Sequence, residues 1–275
     1  MVANPAVVLL APFLPVFALA AGFLTLSLSA LAVLAARLKN AGIVDVFWGF
    51  GFIPMGWIGA CNLDGFWLRK AVLLTMIMLA CLRLGSYLLK RCVQLHPEED
   101  PRYHVLRDLW GTRADWGFWG VFLLQGVLIL ILSGVFWVPM QNAHPVLRVS
   151  EWLGAGLWLI GYLGEGFSDA QLDRFKREPS NRGQVCQEGL WRYSRHPNYF
   201  FQWVQWLGYF AFALASPLGL GTVYAPLLML YLLTCVSGVP PTEAHLSVSK
   251  GEAYKRYQQT TSAFVPWFPQ PIGNE

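Results

Sequence analysis

Long stretches without any charged residue constrain this chain more than any other feature of its sequence. The longest runs over 44 positions, from Tyr199 to Thr242. A helix that crosses a bilayer needs about 20 mainly apolar residues, so this stretch is too long for one such helix and long enough for two. The segment "SPLGLGT" at 216–222 divides it, because proline and glycine favour a turn. The pattern predicts an integral membrane protein.

Seven segments fit the length of a membrane span. They cover approximately residues 5–36, 43–62, 69–89, 117–139, 152–167, 198–215 and 220–238. The composition agrees, because 13% of the residues are charged, against about 25% in soluble domains. We therefore predict an all-α integral membrane protein with seven transmembrane helices, folded as a single membrane domain of residues 1–275. The first segment is too long for the apolar part of a signal peptide and is expected to stay in the mature protein.

The basic residues lie mainly on one side of this predicted topology. Sixteen of the twenty Lys and Arg residues fall in loops on one side, three fall on the other, and Arg83 lies inside a span. Cytoplasmic loops of membrane proteins carry the excess of positive charge. The asymmetry predicts an N-terminus outside and a C-terminus in the cytoplasm. The net charge of +4 is too small to favour nucleic acid, and the expected partner is the lipid bilayer.

Polar side chains fall inside several predicted spans. Asp45 lies early in the second, and Arg83 and Tyr87 lie four residues apart in the third, hence on one helix face. Charges at membrane depth are costly and face a partner or a wet cavity. The three residues predict a polar pocket entered from the bilayer or, alternatively, a structural ion pair of Asp45 with Arg83. Glu165 and Asp169, at the end of the fifth span, either bind a ligand or form ion pairs at the helix end.

A basic segment connects the fifth and sixth predicted spans, with the sequence "DAQLDRFKREPSNRGQVCQEGLWRYSRHPNYF" at 169–200. It holds six Lys and Arg residues, and the planar fork of an arginine suits phosphate. Pro197 stands where a helix begins, and a helix N-terminus favours anions. The segment is either a solvated basic loop or a socket for a ligand with phosphates and an apolar reactive end.

The C-terminal segment "GEAYKRYQQTTSAFVPWFP" combines aromatic and basic residues in the same way, with two bases between Tyr254 and Tyr257. The segment either belongs to the same ligand socket or forms an interfacial helix with an aromatic anchor. Neither basic segment contains a G-x-G-x-x-G or G-K-[ST] loop, which argues against a Rossmann or P-loop nucleotide site. The five cysteines and five histidines have no metal-ligand spacing, so no metal is predicted.

Three segments together resemble the membrane-embedded steroid 5-alpha-reductase family, most closely its bacterial branch: "GLWRYSRHPNYF", the following "WVQWLGY" and the terminal "YKRYQQTTSAFVPW". "VDVFWG" and "EDPRYHVLRDLWG" are similar to the same branch. The resemblance covers most of the chain and is strongest from about 160 to 268. It implies a seven-helix enzyme of the bacterial inner membrane, with its cofactor side in the cytoplasm. Such enzymes use NADPH to reduce the 4,5 double bond of a 3-oxo-4-ene steroid or a related lipid enone.

The resemblance, together with the polar clusters, implies a set of site residues. The expected NADPH-binding residues are Ser168, Asp169, Arg174, Lys176, Arg182, Arg195, His196, Asn198, Tyr199, Gln202, His245, Tyr254 and Tyr257. The expected catalytic residues are Asp45, Arg83 and Tyr87, which would stabilise the charge that develops on the enone oxygen. Helices 1–4, within 1–140, would form the substrate side, and helices 5–7, within 150–275, the cofactor side.

The chain departs from the family pattern at three positions. The family often has Gly-Glu after "NYF", and this chain has Phe201 and Gln202; the amide can bind a carboxamide but carries no charge. Lys176 stands where the family has an arginine. "RHPNYF" also resembles the "RHPxY" of isoprenylcysteine-type membrane methyltransferases, which bind S-adenosylmethionine. Such a methyltransferase, and a non-enzymatic lipid-binding or transport protein with Asp45 and Arg83 along its path, are the alternatives.

Overall fold

The computed structural model describes residues 9–95 and 98–271, and these residues form helices and loops without any β-strand. The α-helices are α1 (Phe13–Leu38), α2 (Ile43–Phe50), α3 (Phe52–Asn62), α4 (Trp67–Leu95), α5 (Pro101–Trp110), α6 (Ala114–Met140), α7 (Val149–Arg177), α8 (Pro197–Ala213), α9 (Tyr224–Tyr231), α10 (Val239–Lys250) and α11 (Glu252–Thr260). Short 3-10 turns lie at Gly111–Arg113, Pro179–Asn181, Gly189–Arg192 and Gly219–Val223, and a π-helical turn at Leu232–Val236. The predicted all-α class is confirmed.

Helices long and apolar enough to cross a membrane mark the chain as an integral membrane protein. There are five such stretches among the described residues: Phe13–Leu38, Ile43–Asn62, Trp67–Leu95, Tyr103–Met140 and Gly219–Lys250. The other two predicted spans also form helices, α7 and α8, but α7 carries charged residues and α8 has 17 residues. The count of seven spans therefore stays a prediction.

The last long helical stretch extends beyond the predicted end at 238, up to Lys250. Pro240 and Pro241 occupy the first turn of α10, where a missing N–H breaks no helical hydrogen bond. Gly238 precedes that turn, and a Cβ on it would lie 2.4 Å from the Leu233 carbonyl oxygen. Glycine therefore allows the π-helical turn to join α10 closely.

Contacts within the chain divide it into two compact units. The first unit comprises Met1–Arg148 and Ala213–Thr222, and the second comprises Val149–Phe212 and Val223–Glu275. The boundary after Arg148 falls between the predicted helices 1–4 and 5–7. The short segment Ala213–Thr222 is the exception, because it belongs to the first unit.

In the first unit, α1 packs along α6, and α2 and α3 pack against α4. The closest approach of α2 and α4 is at two glycines, where a Cβ on Gly49 would lie 2.6 Å from the Cα of Gly85. Helices in membranes associate through such small residues, because apolar side chains gain little by leaving lipid for protein. These glycines set the position of Asp45, one turn away on α2.

Two bases of the first unit bond to backbone carbonyls. Arg69 is fully buried, and its guanidinium donates to the carbonyl oxygens of Asn142 (2.6 Å), His144 (3.0 Å) and Val146 (3.1 Å). The Lys70 ammonium donates to the carbonyls of Ala60 and Leu63, both at 2.9 Å. Lys70 thus satisfies carbonyls at the C-terminus of α3, where a cation is favourable. Two of the three bases on the predicted outer side therefore stabilise the fold.

In the second unit, α7 and α8 are in backbone contact at glycines. A Cβ on Gly154 would lie 2.4 Å from the nitrogen of Phe212 and 2.8 Å from the oxygen of Gly208. A Cβ on Gly161 would lie 2.7 Å from the nitrogen of Gln205. No side chain fits between the two helices at these points.

Helix α7 has a small and polar buried face and an apolar exposed face. The buried residues include Gly154, Trp158, Gly161, Gly164, Glu165, Ser168 and Asp169. The large exposed residues are Trp152, Leu153, Leu159, Ile160, Leu163 and Phe167. The exposed stripe is 16 residues long, or about 24 Å at 1.5 Å per residue. This distribution is the reverse of that on a water-soluble amphipathic helix.

The close contact between α7 and α8 predicts that one methyl group added between them lowers the stability of the protein. We expect Gly154→Ala to lower the thermal unfolding midpoint in detergent micelles, because separating the backbones costs about 1–3 kcal/mol. Gly156→Ala is the matched control, since nothing lies within 4 Å of a Cβ at this exposed position of the same helix. It should gain up to about 1 kcal/mol from helix propensity. Equal stability of the two variants would contradict the backbone contact.

Candidate functional site

The turn before α8 is joined to the C-terminal segment by Arg195. Its Nε donates to Glu243 Oε1 at 2.7 Å, and its Nη1 donates to the carbonyls of Gln258 (3.0 Å) and Thr261 (2.6 Å). The side chains of Arg195 and Glu243 are 11% and 16% exposed. A guanidinium with these internal partners holds the tail against the turn. These contacts give Arg195 a structural role, and its expected contact with a cofactor phosphate stays a prediction.

Glu243 collects further hydrogen bonds from the same cluster. Gln258 Nε2 donates to its Oε2 at 2.9 Å, and His196 Nε2 lies 3.2 Å from its Oε1. The His196 ring is buried and stacks on the Tyr199 ring at 5.3 Å and 4°. Tyr199 in turn bonds to Thr242 through its hydroxyl at 3.2 Å. One carboxylate therefore connects the start of α8 with α10 and α11.

The two tyrosines of the tail have different surroundings. The Tyr257 hydroxyl donates to the carbonyls of Trp191 and Ser194, the latter at 3.1 Å, and burial raises its pKa, which keeps it a donor. The Tyr254 side chain is 1% exposed and lies beside Arg195 and Glu243. Its hydroxyl has no hydrogen bond of ordinary geometry within residues 9–95 and 98–271. Tyr257 therefore has a structural role, and Tyr254 lies against the ion pair of Arg195 and Glu243.

The structure brings Asp169 and Asn198 together, as expected for two residues of one site. Asn198 Nδ2 donates to Asp169 Oδ1 at 3.1 Å, and Asn198 Oδ1 accepts from the Tyr199 amide at 3.0 Å. Ser168 is fully buried, and its hydroxyl donates to the Gly164 carbonyl at 2.7 Å. The pair of Asp169 and Asn198 places carboxylate and amide groups at the start of α8.

The basic loop between α7 and α8 is ordered by a small apolar core. Phe175, Cys186 and Trp191 are buried together, with Leu172 packed against them, and burial raises the pKa of the Cys186 thiol. Trp191 Nε1 donates to the Ser168 carbonyl at 2.9 Å. The bases in the last turn of α7 and in this loop are exposed, namely Arg174, Lys176, Arg177, Arg182 and Arg192. The loop thus presents several cations from a fixed backbone.

Gln202 and His245 have no described hydrogen bond that joins them to this cluster. Gln202 is half-buried on α8, and His245 is exposed on α10. The neighbouring Phe201 fills the space over Gly164, where a Cβ would lie 2.3 Å from its ring. On the facing helix, Glu165 is 4% exposed and accepts a hydrogen bond from Gln205 Nε2 at 2.5 Å. Gln202 on α8 therefore supplies no charge. The buried carboxylate near this position is that of Glu165, on α7.

In the first unit, Asp45 contacts a tyrosine outside the predicted set. Tyr103 is 7% exposed, and its hydroxyl donates to Asp45 Oδ1 at 2.8 Å. Asp45 also borders a polar depression with Asn40, Arg91 and Asp100. Arg91 and Asp100 form an ion pair of 2.7 Å in this depression. The partner of Asp45 that the structure adds is therefore Tyr103, from α5.

Arg83 and Tyr87 share one side of α4, as their spacing predicts. At 3.6 residues per turn, each lies about 160° around the helix from Gly85, the residue in contact with α2. Asp45 lies beside Leu88 and Cys92, nearer to the Gly85 side. The residues of α4 that border Asp45 thus lie on a different side of this helix from Arg83 and Tyr87, and the pairing of Asp45 with Arg83 stays a prediction.

A buried carboxylate before α5 completes the polar contacts of the first unit. Glu99 accepts hydrogen bonds from the Ala41 amide (2.5 Å) and from Arg107 Nε (3.0 Å) and Nη2 (2.8 Å). Burial alone would raise the pKa of Glu99, but the bonds from Arg107 and Ala41 outweigh burial and leave this pKa below its usual value. Glu99 therefore fixes the loop between α1 and α2, which precedes Asp45.

Sequence reasoning missed Glu243, Tyr103 and Glu99. Glu243 had a signal, because it is the first charged residue after the 44-residue run and a charge at the end of a span needs a partner. Tyr103 and Glu99 lie in the quoted "EDPRYHVLRDLWG". Tyr103 bonds to Asp45 and Glu99 bonds to the Ala41 amide, each 58 positions away in sequence, and no spacing rule connects these pairs.

A family model described as "Protein of unknown function (DUF1295)" matches residues 31–261. The chain belongs to this family. The family is related to steroid 5-alpha-reductase-like membrane proteins. The match includes every candidate site residue from Asp45 to Tyr257. No solved structure matches the chain.

One curated relative is "Uncharacterized protein C9.08c" of Schizosaccharomyces pombe (strain 972). It is 33% identical over 111 residues, which covers 33% of this chain and 39% of the relative. The chain thus matches about two fifths of the length of this relative. The family membership and the relative leave the reaction, cofactor and substrate to be proposed.

We expect the protein to lose much of its stability when the Arg195 guanidinium is removed from this cluster. Arg195→Ala leaves the Glu243 carboxylate with one charged partner fewer and two carbonyls unsatisfied, and should cost about 3 kcal/mol. The measurement is the thermal unfolding midpoint in micelles, with limited proteolysis of the tail as a second readout. Arg192→Ala removes an exposed arginine three residues earlier and should change stability by at most about 0.5 kcal/mol. Similar midpoints for both variants would contradict the structural role of Arg195.

Proposed function

We propose that this protein is an NADPH-dependent oxidoreductase that reduces the 4,5 carbon–carbon double bond of 3-oxo-4-ene steroids or related lipid enones within the membrane. The observation that carries the proposal is the arrangement in the second unit. An ordered loop presents exposed cations, and buried Asp169 on α7 is bonded to half-buried Asn198 at the start of α8, the two helices that the loop connects. The resemblance of "GLWRYSRHPNYF" to the reductase family gives this arrangement its interpretation.

The donors and acceptors of the second unit fit a phosphorylated dinucleotide. Arg174, Arg177 and Arg182 would hold phosphates through the paired hydrogen bonds of their guanidinium groups, and Lys176 would do so through its ammonium group. Asp169 and Asn198 would bind hydroxyl or amide groups of the cofactor. The Tyr254 hydroxyl, which is buried beside Arg195 and Glu243, would be one more polar contact.

When bound, NADPH supplies the hydride that the beta carbon of the enone receives. The residues of the chain then have to stabilise the negative charge that develops on the carbonyl oxygen. Arg83 and Tyr87 are donors on one side of α4 and would supply these hydrogen bonds in a site that excludes water. Tyr103 holds the carboxylate of Asp45 in one orientation through its 2.8 Å bond. The negative charge of Asp45 would then stabilise the positive charge of a cationic donor such as Arg83.

The structure of α7 supports a topology of seven spans. Its exposed apolar stripe, about 24 Å long, approaches the thickness of a bilayer core of about 30 Å. The charges that lower its mean hydropathy, Glu165 and Asp169, lie on the buried face. With α7 and α8 both spanning, the N-terminus is outside and the C-terminus is in the cytoplasm. The cofactor side then faces the cytoplasm. In a bacterium, the membrane that the protein crosses would be the inner membrane.

The experiment that tests the function measures binding and turnover on protein in nanodiscs. The wild type should bind NADPH about tenfold more tightly than NADH. Binding is measured by quenching or energy transfer of the cofactor fluorescence. The wild type should oxidise NADPH only when a 3-oxo-4-ene steroid is present. Arg182→Gln should reduce the preference for NADPH, because a charge-assisted bond contributes about 1.5–3 kcal/mol. Arg256→Gln, at an exposed base of the tail, is the control. Binding of S-adenosylmethionine without any dinucleotide would contradict the proposal and favour the methyltransferase.

The same assay tests the residues of the first unit. Tyr87→Phe, Arg83→Gln and Asp45→Asn should lower turnover by a factor of about 100–1,000 and leave the dissociation constant of NADPH unchanged. These hydrogen bonds strengthen as charge develops, so kcat should fall more than KM changes. Tyr231→Phe, at a tyrosine that is 58% exposed, should be neutral. Near-normal turnover of all three variants would show that these residues are structural.

The topology is tested with single cysteines and a membrane-impermeant maleimide on intact cells. In a background without the native cysteines, Ser180→Cys and Leu220→Cys should lie on opposite sides of the membrane. Both positions are exposed, and α8 lies between them. Only Leu220→Cys should be labelled, because it is on the predicted outer side. Labelling of both or of neither would contradict a spanning α8 and favour five spans.

A further inference from the structure

Helix α11 and the segment that follows it expose different kinds of side chain. The two tyrosines of α11 are buried, and its exposed side chains are small, polar or charged, namely Glu252, Ala253, Lys255, Arg256 and Gln259. In the extended segment 264–268, by contrast, Val265, Trp267 and Phe268 are 53%, 66% and 75% exposed. The large apolar surface of the tail therefore lies on this segment, after the end of α11.

Hydrogen bonds from the turn before α8 hold the backbone of segment 264–268 in place. The Trp267 amide donates to the Tyr193 carbonyl at 2.8 Å, and the Ser194 hydroxyl donates to the Phe264 carbonyl at 2.8 Å. The Phe268 ring packs edge-on against the Tyr193 ring, with 6.0 Å between the ring centres. Because the backbone is already ordered, covering these exposed rings with a partner costs little conformational entropy.

The contacts of Phe264 show which part of α8 the segment lies beside. The centre of its ring is 5.8 Å from that of Phe200 and 6.0 Å from that of Trp203. These are the third and sixth residues after the first residue of α8, so they lie about 5 and 9 Å along the helix axis. Trp267 instead bonds to Tyr193, four residues before α8 begins. Segment 264–268 therefore runs from the first two turns of α8 outwards to the turn in front of this helix.

This position and composition fit the boundary of a phospholipid bilayer. The first turns of a spanning helix lie where the hydrocarbon core meets the headgroups, and tryptophan is enriched at this level. An apolar patch with a polar rim is typical of a surface that contacts a membrane or a protein. Exposed Arg192, next to Tyr193, adds a cation of the kind that headgroup phosphates attract.

We infer that segment 264–268 is a membrane anchor, whose Trp267 and Phe268 insert between the headgroups and acyl chains of the leaflet in which α8 begins. The inference goes beyond the proposed function and rests on one part of it, the spanning of α8. Thr261, a few residues before the anchor, accepts a hydrogen bond from Arg195. The tail would thus be attached twice, to the start of α8 through hydrogen bonds and to the lipid through its aromatic side chains.

The test measures the surroundings of single nitroxide labels by electron paramagnetic resonance, with one copy of the full chain in each phosphatidylcholine–phosphatidylglycerol nanodisc. In a background without the native cysteines, the labels are attached at Phe268→Cys, at Val265→Cys and, as a control on α11, at Arg256→Cys. Oxygen concentrates in the bilayer and a nickel chelate stays in water, so the ratio of their collision rates with the label reports its surroundings. This ratio should be several-fold higher at Phe268→Cys and Val265→Cys than at Arg256→Cys. Two positions in the segment cover the case in which one label disturbs it.

Collision ratios at Phe268→Cys and Val265→Cys as low as that of the control overturn the inference. If these labels become shielded only when two copies share a nanodisc, the segment is an interface between copies instead of an anchor. Maleimide labelling of Ser180→Cys and Leu220→Cys separates this outcome from the proposed topology. Opposite sides for those two positions, with Phe268→Cys in water, overturn the inference alone, whereas the same side for both overturns the spanning of α8 and the inference with it. The NADPH assay is independent of these positions, so the proposed reaction stands or falls separately.

Discussion

The ion pair of Arg195 and Glu243 is the contact on which the polar cluster of the second unit depends. Each partner is a charge almost removed from water, and such a charge is stable only with a counter-charge and full hydrogen bonding. Arg195 bonds to two tail carbonyls in addition, and Glu243 bonds to Gln258 and His196. The turn before α8, the first turn of α10 and the end of α11 therefore have to come together for either charge to be satisfied. The positions of Asn198 and Tyr199 follow from this assembly.

The same physical constraint explains helix α7. In a bilayer, lipid offers an apolar side chain as much as a protein interior does, so Leu and Phe gain little from burial and are found outside. Polar groups gain from contact with protein, and Glu165, Ser168 and Asp169 lie on the buried face. The glycines of α7 and α8 let the backbones meet, which brings Gln205 and Asn198 within hydrogen-bond distance of the two carboxylates. Close backbone contact and polar bonding thus depend on each other.

Two groups of bases among the described residues have different surroundings. Arg69, Lys70 and Arg195 donate to backbone carbonyls, and Arg69 is completely buried. The bases of the loop at 174–192 are exposed and stand on a small apolar core. A guanidinium already bonded inside the protein contributes to stability, and one that faces water is available for an anionic ligand. This difference supports the structural role of Arg195 and favours the loop for the phosphate binding that we propose.

Much of the fold follows from the sequence alone. Stretches without charge identify the helices, because an apolar run of that length has no other stable environment than lipid. Local signals also place Pro197 at the start of α8 and put Arg83 and Tyr87 on one side of α4, since helical periodicity is a local property. The family resemblance predicts Asp169 and Asn198 as residues of one cofactor site, and the structure shows them hydrogen-bonded to each other.

Only the tertiary structure decided how the charges are paired. The sequence could not distinguish Arg195, with its carboxylate and two carbonyls, from Arg182, which is exposed, because both are arginines in one basic segment. Nor could it show that Asp45 bonds to Tyr103, 58 positions away, or that the buried carboxylate facing α8 comes from Glu165 on α7. Helix formation depends on neighbours along the chain, whereas the environment of a charge depends on which helices meet, and that is determined by the packing of the whole chain.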